Sequence, residues 1–284
     1  MYAQWLPGFI GGESENLLGR WLKDRGKRDD LFIATKVGFP VPAQELDFGQ
    51  TAEQIERGCE GSLKRMGIDH IDLFYVHFDH RHVPVEERLE AFDRLVRAGK
   101  VRYIGASNTV AWRLEEARKI SQMNGWAQFC CIQQWYSYVR PRAGVVYDPH
   151  AFCNNELLDY CLTTGVSLMA YSPLMSGAYT RADRSFPEEF QGEDTDARVA
   201  TLRKVASEVG YTENQVVLAW MLRSQPYTIP LVGASKREQL AENLKALEVP
   251  LTVEKLEELS QAHNVVQKQP PRRQRPKIAG MKEG

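Results

Sequence analysis

The sequence has no surplus of charge of either sign. Its 36 basic residues stand against 37 acidic ones, a formal net charge of −1, which gives the chain as a whole no field for gathering nucleic acid. No apolar run approaches the roughly 20 residues of a membrane span, and nothing at the start has the regions of a signal peptide. No membrane partner is expected, therefore, and a cytoplasmic location is. The five cysteines are an odd number, without a Cys-x-x-Cys or a Cys/His pair at metal-ligand spacing. Cys59, Cys130, Cys131 and Cys161 fall in apolar strand or helix patterns, which predicts buried, reduced thiols rather than disulfides. His77, His80 and His82 sit at i, i+3, i+5 in a loop with no thiol or carboxylate set, a poor metal pattern, and no metal is expected. A Gly-x-Gly-x-x-Gly turn, the mark of a doubly wound dinucleotide fold, is also missing.

What is present is a sentence repeated along 284 residues that are 43% hydrophobic, enough for a large core. Val101 to Ala106 is an apolar run that ends abruptly in Ser107 and Asn108. Leu31 to Thr35 ends in Lys36, Ile71 to Val76 in His77, and Phe129 to Ile132 in Gln133. Ser167 to Ala170 ends in Tyr171 and Ser172, and Thr228 to Val232 in Gly233, Ala234 and Ser235. Each reads as a buried strand delivering a polar or aromatic group at its C-terminal end.

Helical patterns lie between these strands. Thr51-x-x-Gln54 and Thr212-x-x-Gln215 are capping boxes that open amphipathic runs. Val199, Leu202, Val205 and Val209 make a third stripe, and Leu240, Leu244 and Leu247 a fourth. Buried strands alternating with amphipathic helices imply a parallel sheet with helices outside. Functional side chains gathered from many successive strand ends favour a (β/α)8 TIM barrel over an open sheet, which concentrates its chemistry at one crevice. A single barrel domain over 1–263 is expected, followed by a basic, Pro-rich tail over 264–284.

Six strands are legible where the barrel needs eight. Residues 1–15 read as a loop leading into a helix over 16–25, so the first two strands are expected to be missing. Open strand edges are costly unless covered, and a homo-oligomer, such as a dimer across the open edge, is compatible with that expectation.

Taken together, Tyr2, Gly11-Gly12-x-Ser14-Glu15, Leu18-Gly19, Ala34-Thr35-Lys36, Tyr75-Val76-His77, Gly99 to Asn108, Gln133, Tyr171-Ser172-Pro173-Leu174 and Gly233-Ala234-Ser235 resemble the aldo-keto reductases, in order over residues 1 to about 262. The resemblance implies a TIM barrel that uses NADPH, with NADH as the alternative, to reduce a small-molecule aldehyde or ketone. It implies catalytic roles for Tyr2, Lys36 and His77. The family's catalytic aspartate would fall before Met1, so Lys36 is expected to tune Tyr2 less well. A regulatory, channel-subunit-like relative that binds cofactor without efficient catalysis is the alternative reading.

The same resemblance implies that Ser107, Asn108 and Gln133 hold the nicotinamide carboxamide, with Tyr171 stacked on the ring. Ser172 and Leu174 complete that strand end, with Ser176-Gly177 as the hinge of a long polar loop, between Leu174 and Val199, over the pyrophosphate. In the cofactor-binding stretch that opens at Gly233, Ser235, Lys236 or Arg237 would contact the adenosine 2′-phosphate, while Gln239 and Asn243 reach the adenine. Trp5, Phe78, Trp135 and Tyr136 are expected to line the substrate pocket. The chemistry is coherent from the residues alone. A tyrosine of ordinary pKa near 10 is a poor acid at neutral pH, and a neighbouring ammonium lowers that value.

Overall fold

The computed structural model describes residues 7–39 and 49–263. Six parallel strands pair in chain order: β1 (Ala34–Val37), β2 (Ile71–Val76), β3 (Val101–Ser107), β4 (Phe129–Trp135), β5 (Ser167–Tyr171) and β6 (Thr228–Pro230). Nine helices are described: α1 (Glu13–Arg25), α2 (Ala52–Met66), α3 (Val85–Arg97), α4 (Ala111–Asn124), α5 (Asn155–Thr164), α6 (Glu193–Val209), α7 (Glu213–Arg223), α8 (Arg237–Leu244) and α9 (Val253–Gln261). Parallel neighbours need a crossover, and helices supply them here, giving six strands of the TIM-barrel pattern against the eight of a closed one. Among the described residues, β1 and β6 each pair on one side only.

Helix starts follow their sequence signals. Thr51 caps α2 by accepting from the Gln54 amide while the Gln54 side chain accepts from the Thr51 amide, and Thr212 and Gln215 repeat this at α7. Gly19 lets α1 lie directly on α2, because a Cβ there would sit 2.4 Å from the Arg65 carbonyl oxygen. The buried Glu15 carboxylate then ties the layers, accepting from Thr35 Oγ1 and Arg65 Nε, each at 2.6 Å.

The register decides which residues face the barrel interior. Lys36 pairs with Tyr75, Tyr75 with Gly105 and Gly105 with Cys131, one row across the inside. The next row, Val37, Val76, Ala106, Ile132 and Leu168, faces outward into the core beneath the helices. Strand pleating sends successive side chains to opposite faces. A second core gathers Tyr138, Tyr179, Phe190, Leu202, Val205, Val216 and Leu259 around α6, α7 and α9.

Several expectations change. α6 starts at Glu193 rather than near Val199, so part of the long polar loop is its first turns. The Leu240, Leu244 and Leu247 stripe is exposed, and α8 buries no residue. Periodicity makes a helix amphipathic, but burial needs a neighbouring layer, and β6 is an edge. Cys130 is exposed, because it lies at the open start of β4, whereas Cys59, Cys131 and Cys161 are buried; all described cysteines are free thiols. Among the described residues no helix is long and apolar enough to cross a membrane.

Candidate active site

The C-terminal strand ends converge on a cavity of about 730 Å³ lined by Lys36, Phe39, His77, Ser107, Asn108, Gln133, His150, Tyr171, Ser172 and the segment Leu231 to Gly233. Every described strand therefore delivers a residue to it from its end or from the segment just beyond. Tyr2 and Trp5 lie outside the described residues.

Lys36 is buried, with its Nζ 5.4 Å from the centroid of the Tyr75 ring. Burial pushes its pKa down to about 7, countered in part by the Cys131 thiol. His77 is buried too, its ring parallel to Phe78 at 4.6 Å and edge-on to Phe39 at 4.7 Å. Burial first, then the Lys36 charge and His150, lower its pKa to about 2, so the imidazole is neutral at physiological pH. Below it a buried ion cluster fixes the turn. Asp79 accepts from Arg88 Nη2 at 3.0 Å and from Arg113 Nε and Nη2 at 3.0 and 3.1 Å, while Arg88 also donates to Gln50 and Gln50 to the Phe78 carbonyl.

Asn108 is fully engaged. Its Nδ2 donates to the His77 carbonyl at 3.0 Å and Ser107 Oγ at 3.2 Å, and its Oδ1 accepts from the Ala151 amide at 3.1 Å and Tyr171 Oη at 2.8 Å. Asn108 and Ser172 have φ of 52° and 54°, in the left-handed region. Asn tolerates it; a non-Gly residue held there at a strand end marks a constrained site.

A groove of about 600 Å³ continues from the cavity, sharing Ser172, Leu231, Val232 and Gly233 with it. It also contains Leu174, Ser176, Gly177, Ser235, Gln239 and Asn243, the residues sequence reading assigned to one ligand. Ser176 and Gly177, φ 55° and 90°, lie in a 3-10 turn at the start of the long polar loop. Ser137 Oγ pins that turn, donating to the Pro173 carbonyl and bonding Tyr179 Oη, each at 2.7 Å. Lys236 and Arg237, N-cap and first residue of α8, are exposed beside Ser235 but do not line the groove.

Two expected pocket residues lie elsewhere. Phe78 is buried behind His77, and Tyr136 lines a separate hollow with Arg140, Arg198 and Trp220. Phe78 lies past the end of β2, and its ring packs on those of His77, Phe39 and His150 behind the cavity wall, whereas Tyr136 follows Trp135 at the end of β4 and turns to the other face. Trp135 stands behind the cavity wall, 5.9 Å from the Tyr171 ring and 6.2 Å from His150. Sequence reading also missed Phe39, His150, Arg181 and Asn214, all of which line the cavity or its groove. An Asp-Pro turn inside an unusually long connection after β4 is the signal that could have flagged His150.

The groove fits an extended ligand with donor groups at its far end. Asn214 Oδ1, in its wall, is buried and meets no hydrogen-bond donor among the described residues, and Gln239 and Asn243 lie in the same wall.

A sequence profile described as the aldo/keto reductase family matches residues 9–264. The chain is 34% identical over 267 residues to Aldo-keto reductase str7 of Strobilurus tenacellus, covering 89% of this chain and 74% of that one. It is 31% identical over 273 residues to the NADP(+) Aldo-keto reductase yakc of Schizosaccharomyces pombe, covering 88% and 75%. Among solved structures, a thermostable aldo-keto reductase in complex with the inhibitor epalrestat superposes with a TM-score of 0.69 at 33% identity, covering 89% of this chain and 78% of that one. With a profile that spans the strands and their polar ends, this chain belongs to the aldo/keto reductase family, oxidoreductases acting on carbonyl and alcohol groups.

Proposed function

We propose that this protein reduces a small aldehyde or ketone to the alcohol with NADPH. The observation that carries the reading is one continuous cavity and groove that starts at Lys36 and His77 and ends at Ser235, Gln239 and Asn243. When bound, the nicotinamide supplies the hydride that no side chain can.

This chain's residues do the rest. Ser107 and Gln133 are the carboxamide contacts, since the polar atoms of Asn108 are already taken and its part is to lock Ser107, Tyr171 and the His77 backbone in place. Tyr171 walls the ring site. The groove from Ser172 to Gly177 holds the pyrophosphate, and Lys236 and Arg237 beside Ser235 meet the 2′-phosphate, which favours NADPH over NADH. Neutral His77 donates an N–H to the carbonyl oxygen, where charge develops. Tyr2, assigned from its sequence context, hands that oxygen its proton, and the charge of Lys36 eases the loss.

The test is titration of the purified chain with NADPH by tryptophan fluorescence, then a panel of aldehydes followed at the nicotinamide absorbance. Saturable binding with turnover is expected. Binding without reduction of any aldehyde or ketone would remove the catalytic assignment.

A further inference from the structure

His150 belongs to none of the roles above, yet its ring lines the cavity wall beside Tyr171 and His77. Its Nδ1 lies 3.0 Å from Tyr171 Oη, and Tyr171 Oη lies 2.8 Å from Asn108 Oδ1. The direction of every bond in this chain follows from two backbone groups whose chemistry is fixed. The Ala151 N–H can only donate, and it meets one end of the Asn108 amide at 3.1 Å; the His77 carbonyl can only accept, and it meets the other at 3.0 Å. Turning the amide over would set donor against donor and acceptor against acceptor, so Oδ1 faces Ala151 and Tyr171. Tyr171 must then spend its only proton on Oδ1. Nδ1 of His150 therefore carries the hydrogen and donates it to the tyrosine oxygen. In the neutral ring the other nitrogen, Nε2, is left as a bare acceptor. Among the described residues no donor reaches it. Half-burial of the ring lowers its pKa, which keeps it neutral at physiological pH.

Resting on the carbonyl-reductase reading, we propose that His150 is a specificity-determining residue whose Nε2 accepts a hydrogen bond from a hydroxyl group on the substrate. The substrate class is a hydroxylated carbonyl compound, one whose hydroxyl reaches His150 while its carbonyl lies at His77. The walls favour an aromatic member of that class. Phe39 and Tyr171 line the same cavity, and Trp135 packs behind Tyr171 and His150. A site built around a hydrogen bond to a hydroxyl rejects the analogue without one, because the bound analogue shuts water away from an acceptor that it leaves unpaired.

The experiment compares the 2-, 3- and 4-hydroxybenzaldehydes with their methyl and methoxy counterparts, in the natural sequence, His150→Phe and His150→Gln, with thermal melts to establish that the variants fold. The methyl group matches the hydroxyl in size; the methoxy keeps an acceptor and loses the donor. At one or more ring positions the natural sequence should favour the hydroxy compound by about 10-fold or more in kcat/KM, mainly through KM. That ratio should fall to about one in His150→Phe and be partly kept in His150→Gln, whose amide oxygen still accepts. A ratio near one at every position in the natural sequence, or a preference that survives His150→Phe, would overturn the proposal. Should no aldehyde be reduced at all, the catalytic reading fails on its own, and binding decides the inference separately. Phenol should then quench tryptophan fluorescence at roughly 5-fold lower concentration than toluene or anisole in the natural sequence but not in His150→Phe, and equal affinities would count against it.

Discussion

The ammonium nitrogen of Lys36 stands 5.4 Å from the centre of the Tyr75 ring, across a strand pair whose register places the two residues opposite one another. Burial holds the Lys36 pKa at about 7, well below its usual 10.5. Between those values the unfolded chain binds a proton that the folded one does not, so the stability of the natural protein rises with pH across that interval. The penalty for charging Lys36 is complete below about pH 7. Lys36→Met removes it, so the variant should melt at least about 4 °C higher than the natural protein at pH 6, the gap closing toward pH 10. A gap that stays constant with pH would show that Lys36 is not the titrating group.

The same substitution tests the chemistry. Lys36→Met should lower kcat/KM for aldehyde reduction by about 100-fold or more while leaving NADPH affinity within roughly 3-fold. Retained turnover in steady-state assays would remove Lys36 from the mechanism.

Gly105 makes room for the floor under Lys36. A Cβ at this position would lie 2.6 Å from Tyr75 Cε1 and 3.1 Å from the Cys131 carbonyl oxygen, inside a ladder that cannot part. Gly105→Ala should cost about 1–3 kcal/mol in a denaturant melt. It should also reduce turnover, because the Tyr75 ring must move away from beneath Lys36.

The loop that follows His77 depends on Asp79. Its carboxylate answers Arg88 and Arg113, which are largely buried with it. Asp79→Ala would strand those guanidinium groups, and the expected loss is about 3–5 kcal/mol. A melt within about 2 °C of the natural protein would mean that the cluster relaxes into solvent instead.

Cofactor preference is separable from catalysis. Replacing Lys236 and Arg237 together by Ala should raise the Kd for NADPH by roughly 10-fold or more and leave that for NADH nearly unchanged. Equal loss for both cofactors would place the cations away from the 2′-phosphate.

Much of this architecture is legible in the residues. The strands end in Lys36, His77, Ser107, Gln133 and Tyr171 because an apolar run stopped by a polar group is a local signal, and each of these lines the cavity. Helix starts at Thr51 and Thr212 are equally local, set by contacts three residues apart. The pocket walls are less legible, since adjacent aromatic residues such as Trp135 and Tyr136 are alike in chemical type and are told apart by the face each turns to, which the packed sheet decides.

By itself, then, the sequence determined the alternation of strands and helices, the parallel class of sheet, and the set of polar groups offered at the strand ends, because all of these follow from spacing and side-chain type over a few residues. Tertiary structure decided what depends on distant partners. The register put Lys36 over Tyr75 rather than against the outer core. An edge position left the Leu240, Leu244 and Leu247 stripe uncovered. The long connection after β4 carried His150 into the cavity, where two backbone groups far apart in the chain, on His77 and Ala151, fix the proton of a third residue's side chain through Asn108 and Tyr171. No spacing rule encodes such a path, because each bond joins segments that only the packed barrel brings together.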